Sequence, residues 1–115
     1  MRQNIKLIYN DKHDETDEHK SIYIYSHWGG DEGEKSPLRQ DLRRAIARKQ
    51  RWNDESYLAR IIMSEVIRDS LDEETGTGLA PYETDPEYQT IVVDLQAQTV
   101  DGQSYEDFIK VGQNV

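Results

Sequence analysis

Side chains that could bind a ligand are most concentrated in residues 25–30 of this chain. The segment reads Tyr-Ser-His-Trp-Gly-Gly, and its candidate ligand-binding residues are Tyr25, His27, Trp28, Gly29 and Gly30. Adjacent glycines let a backbone bend closely around a ligand, and successive N–H groups in such a bend bind anions. A base, a sugar or a phosphate would fit. The alternative is structural: Trp28 caps the core, His27 bonds a neighbouring carbonyl, and the glycines form a turn.

A stripe of polar residues on a helix expected at about 55–70 forms the second candidate. Residues three and four apart share one helix face, and the stripe comprises Tyr57, Arg60, Ser64 and Arg68. Because a guanidinium matches phosphate oxygens bidentately, the stripe suggests a phosphate cradle that joins the first segment in one pocket. The alternative is a solvated basic face paired weakly with the acidic loops of the protein.

Three further residues are candidates for a base or a metal ligand. Glu65 projects from the apolar face of the same helix, where it would act as a general base, pair with an arginine of the preceding helix or accept a tyrosine hydroxyl. His13 and His19 lie among acidic residues, but their spacing matches no known metal site. We therefore expect no metal and no cofactor.

The distribution of charge limits the classes of partner. The net charge of −9 disfavours non-specific nucleic-acid binding, which needs an excess of Lys and Arg. Residues 1–35 carry five basic and eight acidic side chains, residues 36–68 carry eight and four, and residues 69–115 carry one and eleven. Without cysteine, disulfides and thiolate zinc sites are excluded. With no apolar run near the length of a membrane span, we expect no membrane contact and a cytoplasmic location.

The positions of apolar, Gly and Pro residues predict a single α+β domain over residues 1–115. A small antiparallel sheet in the order β-β-α-α-β-β-α would pack on two main helices. The expected strands are 4–10, 21–26, 89–95 and 99–100, the expected helices are 37–51 and 55–70 with a short one after Ser104, and 71–88 is expected to be a loop. Asn53 or Asp54 would cap the second helix.

Several of these segments resemble small proteins of bacteriophages and prophages. The likeness lies in the Tyr-Ser-His-Trp-Gly-Gly segment, residues 57–65 with Ala-Arg-Ile-Ile-Met-Ser-Glu, a Thr-Gly-x-Gly loop and the segment 91–95. These proteins have no assigned activity, so no catalytic residue carries over. The resemblance implies a phage accessory protein in the cytosol of the bacterial host. Such proteins often inhibit host defence, by capturing a nucleotide signal or by covering a defence protein.

The leading hypothesis is therefore a binding protein, not an enzyme, that sequesters a small anionic, nucleotide-like ligand without turnover. A domain this small seldom encloses a nucleotide, so a homo-oligomer with pockets at its interface is expected. One alternative is an acidic inhibitor that binds a host defence protein directly. Another is a small hydrolase or lyase acting on a nucleotide signal, with His27 or Glu65 as the base.

Overall fold

The computed structural model describes residues 3–9, 20–26, 37–84 and 89–110. These residues form a mixed α+β fold in which a six-stranded sheet packs with three helices. The elements are β1 (Gln3–Tyr9), β2 (Lys20–Ser26), α1 (Pro37–Ala47), α2 (Glu55–Val66), β3 (Thr77–Ala80), β4 (Gln89–Asp94), β5 (Thr99–Val100), β6 (Gln103–Ser104) and α3 (Tyr105–Lys110), with a 3-10 turn at Arg68–Ser70. The expected class and the two main helices are confirmed.

The strand order of the sheet is β3-β2-β1-β4-β5-β6. Its described pairs are antiparallel except β1 and β4, which run parallel with Ile5 beside Ile91. The sheet is thus mixed, where an antiparallel one was expected. The reason is the route of the chain. β3 and β4 lie on opposite sides of the β1–β2 pair, so the chain crosses that pair between them, and no hairpin turn makes β4 antiparallel to β1.

One core cluster joins the sheet to the helices. Alternate residues of the central strands face the helices because side chains alternate along a strand. The fully buried members include Leu7, Ile24 and Val93 from the sheet, Leu38 and Leu42 from α1, and Leu58, Ile61 and Ile62 from α2. As expected, α2 is the more thoroughly buried of the two main helices.

Local signals explain most helix boundaries. The Asp54 carboxylate accepts hydrogen bonds from the backbone N–H groups of Ser56 and Tyr57, at 3.0 and 3.2 Å, which confirms the N-cap of α2. Ser104 Oγ caps α3 by accepting from Asp107 N at 3.2 Å. Both main helices end earlier than expected. α1 ends at Ala47, two residues before Lys49, whose φ is 53°. α2 ends at Val66 and is followed by the 3-10 turn.

Two short strands were not expected. β3 lies inside the segment that was expected to be a loop. The sequence did not predict it because four residues with a glycine among them give no clear strand pattern. β5 and β6 are joined by Asp101 and Gly102, whose φ values of 49° and 87° fit a type I′ hairpin turn. An Asp-Gly pair is the usual sequence signal for that turn, so β6 was recognisable.

Candidate functional site

Tyr23 and Tyr25 lie on the face of the sheet that is opposite the helices. Ile24, between them, is fully buried in the core, so strand alternation directs both tyrosines to the other face. Lys6 pairs with Tyr23 across β1 and β2, and its Nζ lies 5.6 Å from the centre of the Tyr23 ring. All three side chains are half-buried. This second face therefore presents two phenol rings and one cation.

Gly78 leaves open space beside Tyr25. The two residues pair across β2 and β3, and a Cβ placed on Gly78 would meet no heavy atom within 4 Å. The φ of Gly78 is not positive, so its conformation does not demand glycine. What this glycine provides is a gap in the side-chain cover of the sheet, next to an aromatic ring.

Residues 81–84 border the same region. They leave β3 at the edge of the sheet, and Asn4 of β1 holds Thr84 through two hydrogen bonds: Nδ2 donates to Thr84 O at 2.6 Å, and Thr84 N donates to Oδ1 at 3.3 Å. Asn4 is fully buried, and Glu83 accepts a further bond from Thr90. Since β2 separates β3 from β1, this segment crosses β2 on the second face. Tyr25 is thus bordered by an anchored loop and an open gap.

The stripe on α2 lies on the opposite side of the sheet. Tyr57 and Arg60 are solvent-exposed, and the Arg51 guanidinium lies 5.4 Å from the centre of the Tyr57 ring. Ser64 is already engaged: its Oγ accepts from Arg48 Nη1 at 2.7 Å and donates to the Ile61 carbonyl at 2.8 Å.

Arg68 is 61% exposed, and its Nη1 lies 3.7 Å from Glu65 Oε2. The sheet lies between Tyr25 and this stripe, so the structure does not bring those two parts of the expected pocket together. The physical reason is the single-residue alternation of β2, which gives the core side to Ile24. His27, Trp28, Gly29 and Gly30 lie outside the described residues.

Glu65 has the structural role that was one of its alternatives. It is 8% exposed, and its Oε2 accepts from Arg44 Nε at 2.8 Å, while Arg48 Nε lies 3.6 Å from Oε1. The expected pairing with an arginine of the first helix is confirmed. Both carboxylate oxygens face guanidinium groups, so Glu65 joins α1 to α2.

Asp41 extends this network on α1. It contacts Arg44, which also donates to Glu65. Burial raises the pKa of Asp41 to about 6, although Arg44 acts in the opposite direction and Glu65 adds a like charge. The hydrogen bond to Glu65 raises the pKa of Arg44. The network is therefore a partly buried cluster of opposite charges between the two main helices.

A groove of about 310 Å³ lies where the end of α2 meets β3, and it was not expected from the sequence. Ile67, Leu71 and Leu79 give it apolar walls, and the last two are 71% and 59% exposed. Sequence patterns did not reveal it because β3 was not recognised as a strand. The only available signal was two leucines on either side of the Thr-Gly-Thr-Gly segment.

Within the part of the chain that the structure describes, no group of three or more potential ligands could hold a metal ion, and no helix is long and apolar enough to cross a membrane. His13 and His19 fall outside that part. Comparison with known proteins found no matching family model, no matching curated protein and no matching solved structure. The resemblance to phage proteins stays a prediction based on the sequence segments.

Proposed function

We propose that this protein captures a small anionic, nucleotide-like ligand on the second face of its sheet and holds it without turnover. The observation that supports this is the open space over Gly78, next to the Tyr25 ring, on the face that also carries Tyr23 and Lys6. Aromatic rings stack on the flat faces of bases without needing a particular sequence. A planar ligand lying over Gly78 would contact the Tyr25 ring.

Lys6 is the cation in this proposal, in place of the arginines expected from the sequence. Its Nζ lies 5.6 Å from the centre of the Tyr23 ring, which keeps the positive charge close to this face. Arg44 and Arg48, by contrast, serve Glu65 on the other side of the molecule. One lysine neutralises one phosphate group, which fits a small ligand.

The charge of the whole chain also favours a small ligand over a nucleic acid. A net charge of −9 repels a long chain of phosphates. A single phosphate group beside Lys6 is instead attracted mainly by that one nearby positive charge. In this proposal Trp28 and His27, which follow Tyr25 closely in the sequence, complete the site, and an oligomer encloses the ligand. The resemblance to phage accessory proteins supports a host signalling nucleotide, captured to block a defence response.

Ligand capture is tested by recovering the bound molecule. The protein is incubated with extracts of bacteria in which a nucleotide-dependent defence system is active, repurified, heat-denatured and analysed by mass spectrometry. We expect an intact nucleotide to be released. A cleaved nucleotide would favour the hydrolase or lyase alternative, and a folded protein that releases no nucleotide would contradict capture.

Variants then locate the site. Gly78→Val fills the gap with a side chain that strands accept well, and we expect it to abolish binding while the fold remains. Tyr25→Ala should weaken binding by about five- to a hundredfold, the affinity equivalent of roughly 1–3 kcal/mol of stacking. Arg60→Ala and Tyr57→Ala are the matched controls, because both residues are exposed on the helix side. Weaker binding in the controls alone would place the ligand on α2.

A further inference from the structure

The groove between α2 and β3 has a defined floor. Ser70 Oγ and Thr77 Oγ1 lie 2.9 Å apart in a hydrogen bond that ties the 3-10 turn to the strand. Gly76 allows this close approach: its φ is 118°, and a Cβ there would come within 3.2 Å of Ser70 Cβ. This hydrogen bond therefore holds together the two backbone segments that carry Leu71 and Leu79.

β3 is an edge strand of the sheet. It pairs with β2 on one side, and no strand within the described ranges pairs with its outer side. An edge strand presents unpaired N–H and C=O groups to which an extended segment can add by main-chain hydrogen bonds. Leu79 pairs with the core residue Ile24, so its side chain is on the groove side. A segment added to β3 would place alternate side chains directly over the groove.

The charge around the groove identifies the kind of partner. Residues 69–80 contain four acidic side chains and no basic one: Asp69, Asp72, Glu73 and Glu74. All four are exposed, and Glu73 lines the groove. A basic residue near this rim would gain electrostatic attraction, and an acidic one would be repelled. Two copies of this chain joined through β3 would bring two acidic rims together, which disfavours self-association here.

We propose that the edge of β3 and its groove bind an extended, basic segment of another protein by strand addition. The segment places an aliphatic side chain on Leu71 and Leu79, with a Lys or Arg two residues away on the same side, where Glu73 is within reach. Every second residue of a strand lies on the same face, so the aliphatic and the basic side chain must be two residues apart to reach the same side. This groove and the ligand site on the second face share Gly78, which lines the groove and pairs with Tyr25. Leu79→Thr and Tyr25→Ala each change only one of the two faces, so these variants test the two proposals separately.

The test uses a synthetic peptide of sequence Lys-Thr-Val-Thr-Lys, titrated into the intact, isotope-labelled protein and followed by NMR. We expect the largest amide shifts at residues 77–80, and weaker binding at an ionic strength of about 0.5 M than at low salt. Three control peptides isolate each contribution: Glu in place of both Lys, Asn in place of Val, and N-methyl groups on the backbone nitrogens of the three central residues, which remove an N–H whichever alternate set points toward β3. Each should weaken binding by about tenfold or more.

Two variants test the groove side chains. Leu79→Thr keeps a strand-forming residue but removes apolar surface, and Glu73→Lys reverses the charge of the rim. Each should weaken binding of the Lys peptide by about tenfold, and Glu73→Lys should improve binding of the Glu peptide. The controls are Tyr82→Thr, at an exposed aromatic that does not line the groove, and Glu106→Lys on α3. Both should bind as the unchanged protein does.

Three results would overturn the proposal. Equal binding of the N-methylated peptide would exclude main-chain pairing, and unchanged binding by folded Leu79→Thr would exclude the groove. A dimer that Leu79→Thr converts to a monomer, observed by analytical ultracentrifugation, would show that a second copy occupies this edge.

Discussion

At the residue scale, the arginines of α1 show how a basic segment in an acidic protein is used. Arg44 and Arg48 contact Glu65 of α2. Arg39 and Arg43 face α3, where Arg43 Nε donates to the Ile109 carbonyl at 2.6 Å and the Arg39 guanidinium lies 4.1 Å from the centre of the Phe108 ring. The positive charge of this segment therefore serves largely to hold the helices together, and this reduces what is left for a phosphate.

Removal of the Glu65 carboxylate should destabilise the fold. Glu65→Ala leaves two guanidinium groups without their shared partner, and we expect a loss of about 2 kcal/mol in the free energy of unfolding. The loss is limited because the side chains of Arg44 and Arg48 are 29% and 34% exposed and can be partly rehydrated. Urea denaturation measures it, with Glu74→Ala as the exposed control, expected within about 0.5 kcal/mol of the unchanged protein. Equal midpoints for the two variants would contradict this role.

Asp41 should make stability depend on pH. Its pKa rises from 3.8 to about 6 on folding, so between those values the folded state binds more protons than the unfolded state. Stability therefore falls as pH rises through this window, and the full cost, about 1–3 kcal/mol, is present above pH 6. Asp41→Asn should be the more stable protein at pH 7, with an advantage that vanishes near pH 4. Urea midpoints across this range check it, and a pH-independent difference would argue against it.

At the element scale, the segment after α2 decides the shape of the β3 edge. The 3-10 turn, Gly76 and β3 form a compact unit in which the backbone of Glu73 donates to Ser70 O at 3.1 Å and Thr77 bonds Ser70 through its hydroxyl. The two glycines of this unit have different roles. Gly76 is required by its positive φ and by a close neighbour, while Gly78 leaves space open.

The two glycines should respond oppositely to alanine. Gly76→Ala forces a side chain into the left-handed region and against Ser70, and should cost about 1–3 kcal/mol of stability. Gly78→Ala meets no atom within 4 Å and has ordinary backbone angles, so it should be neutral or slightly stabilising, by up to about 1 kcal/mol. Thermal and urea unfolding of the two variants measure this difference. Equal effects would show that the segment adjusts more freely than its contacts indicate.

At the scale of the whole molecule, one face of the sheet is covered by helices while the other carries Tyr23, Tyr25 and a crossing loop. α3 completes the helical layer at one end, where the Tyr105 hydroxyl donates to the Asp94 carbonyl at 2.8 Å and the Trp52 ring meets Tyr105 edge-on at 5.9 Å. Trp52 Nε1 also donates to Gln98 Oε1 at 3.0 Å. The last helix is therefore tied both to the sheet and to the helix pair.

Loss of the α1 contact should loosen α3 more than the rest of the fold. Arg43→Met keeps most of the side-chain stem but removes the hydrogen bond to Ile109 O, and we expect a loss of about 1–2 kcal/mol. Hydrogen exchange should become faster in Tyr105–Lys110 before it changes in α2. Arg60→Met, at an exposed position of α2, is the matched control. Uniform acceleration across the chain would mean that α3 opens only when the whole protein unfolds.

The sequence by itself determined the elements whose signals are local. The Asp54 cap, the Ser104 cap, the alternation around Ile24 and the apolar face of α2 were all recognisable, because each depends on neighbours within a few residues. The local pattern also showed that Glu65 is a carboxylate on the apolar face of α2, but it did not show which residue pairs with it. β3 escaped because four residues with a glycine give too little periodicity.

Only the tertiary structure decided which side chains meet. The parallel pairing of β1 with β4, the choice of Arg44 and Arg48 as partners of Glu65, and the separation of Tyr25 from Arg60 by the sheet depend on contacts between residues far apart in the chain. Spacing along the sequence carries no information about which side of a sheet a helix will cover. For that reason the sequence could suggest which residue types a candidate site would contain, while their division between two faces of the protein came only from the tertiary structure.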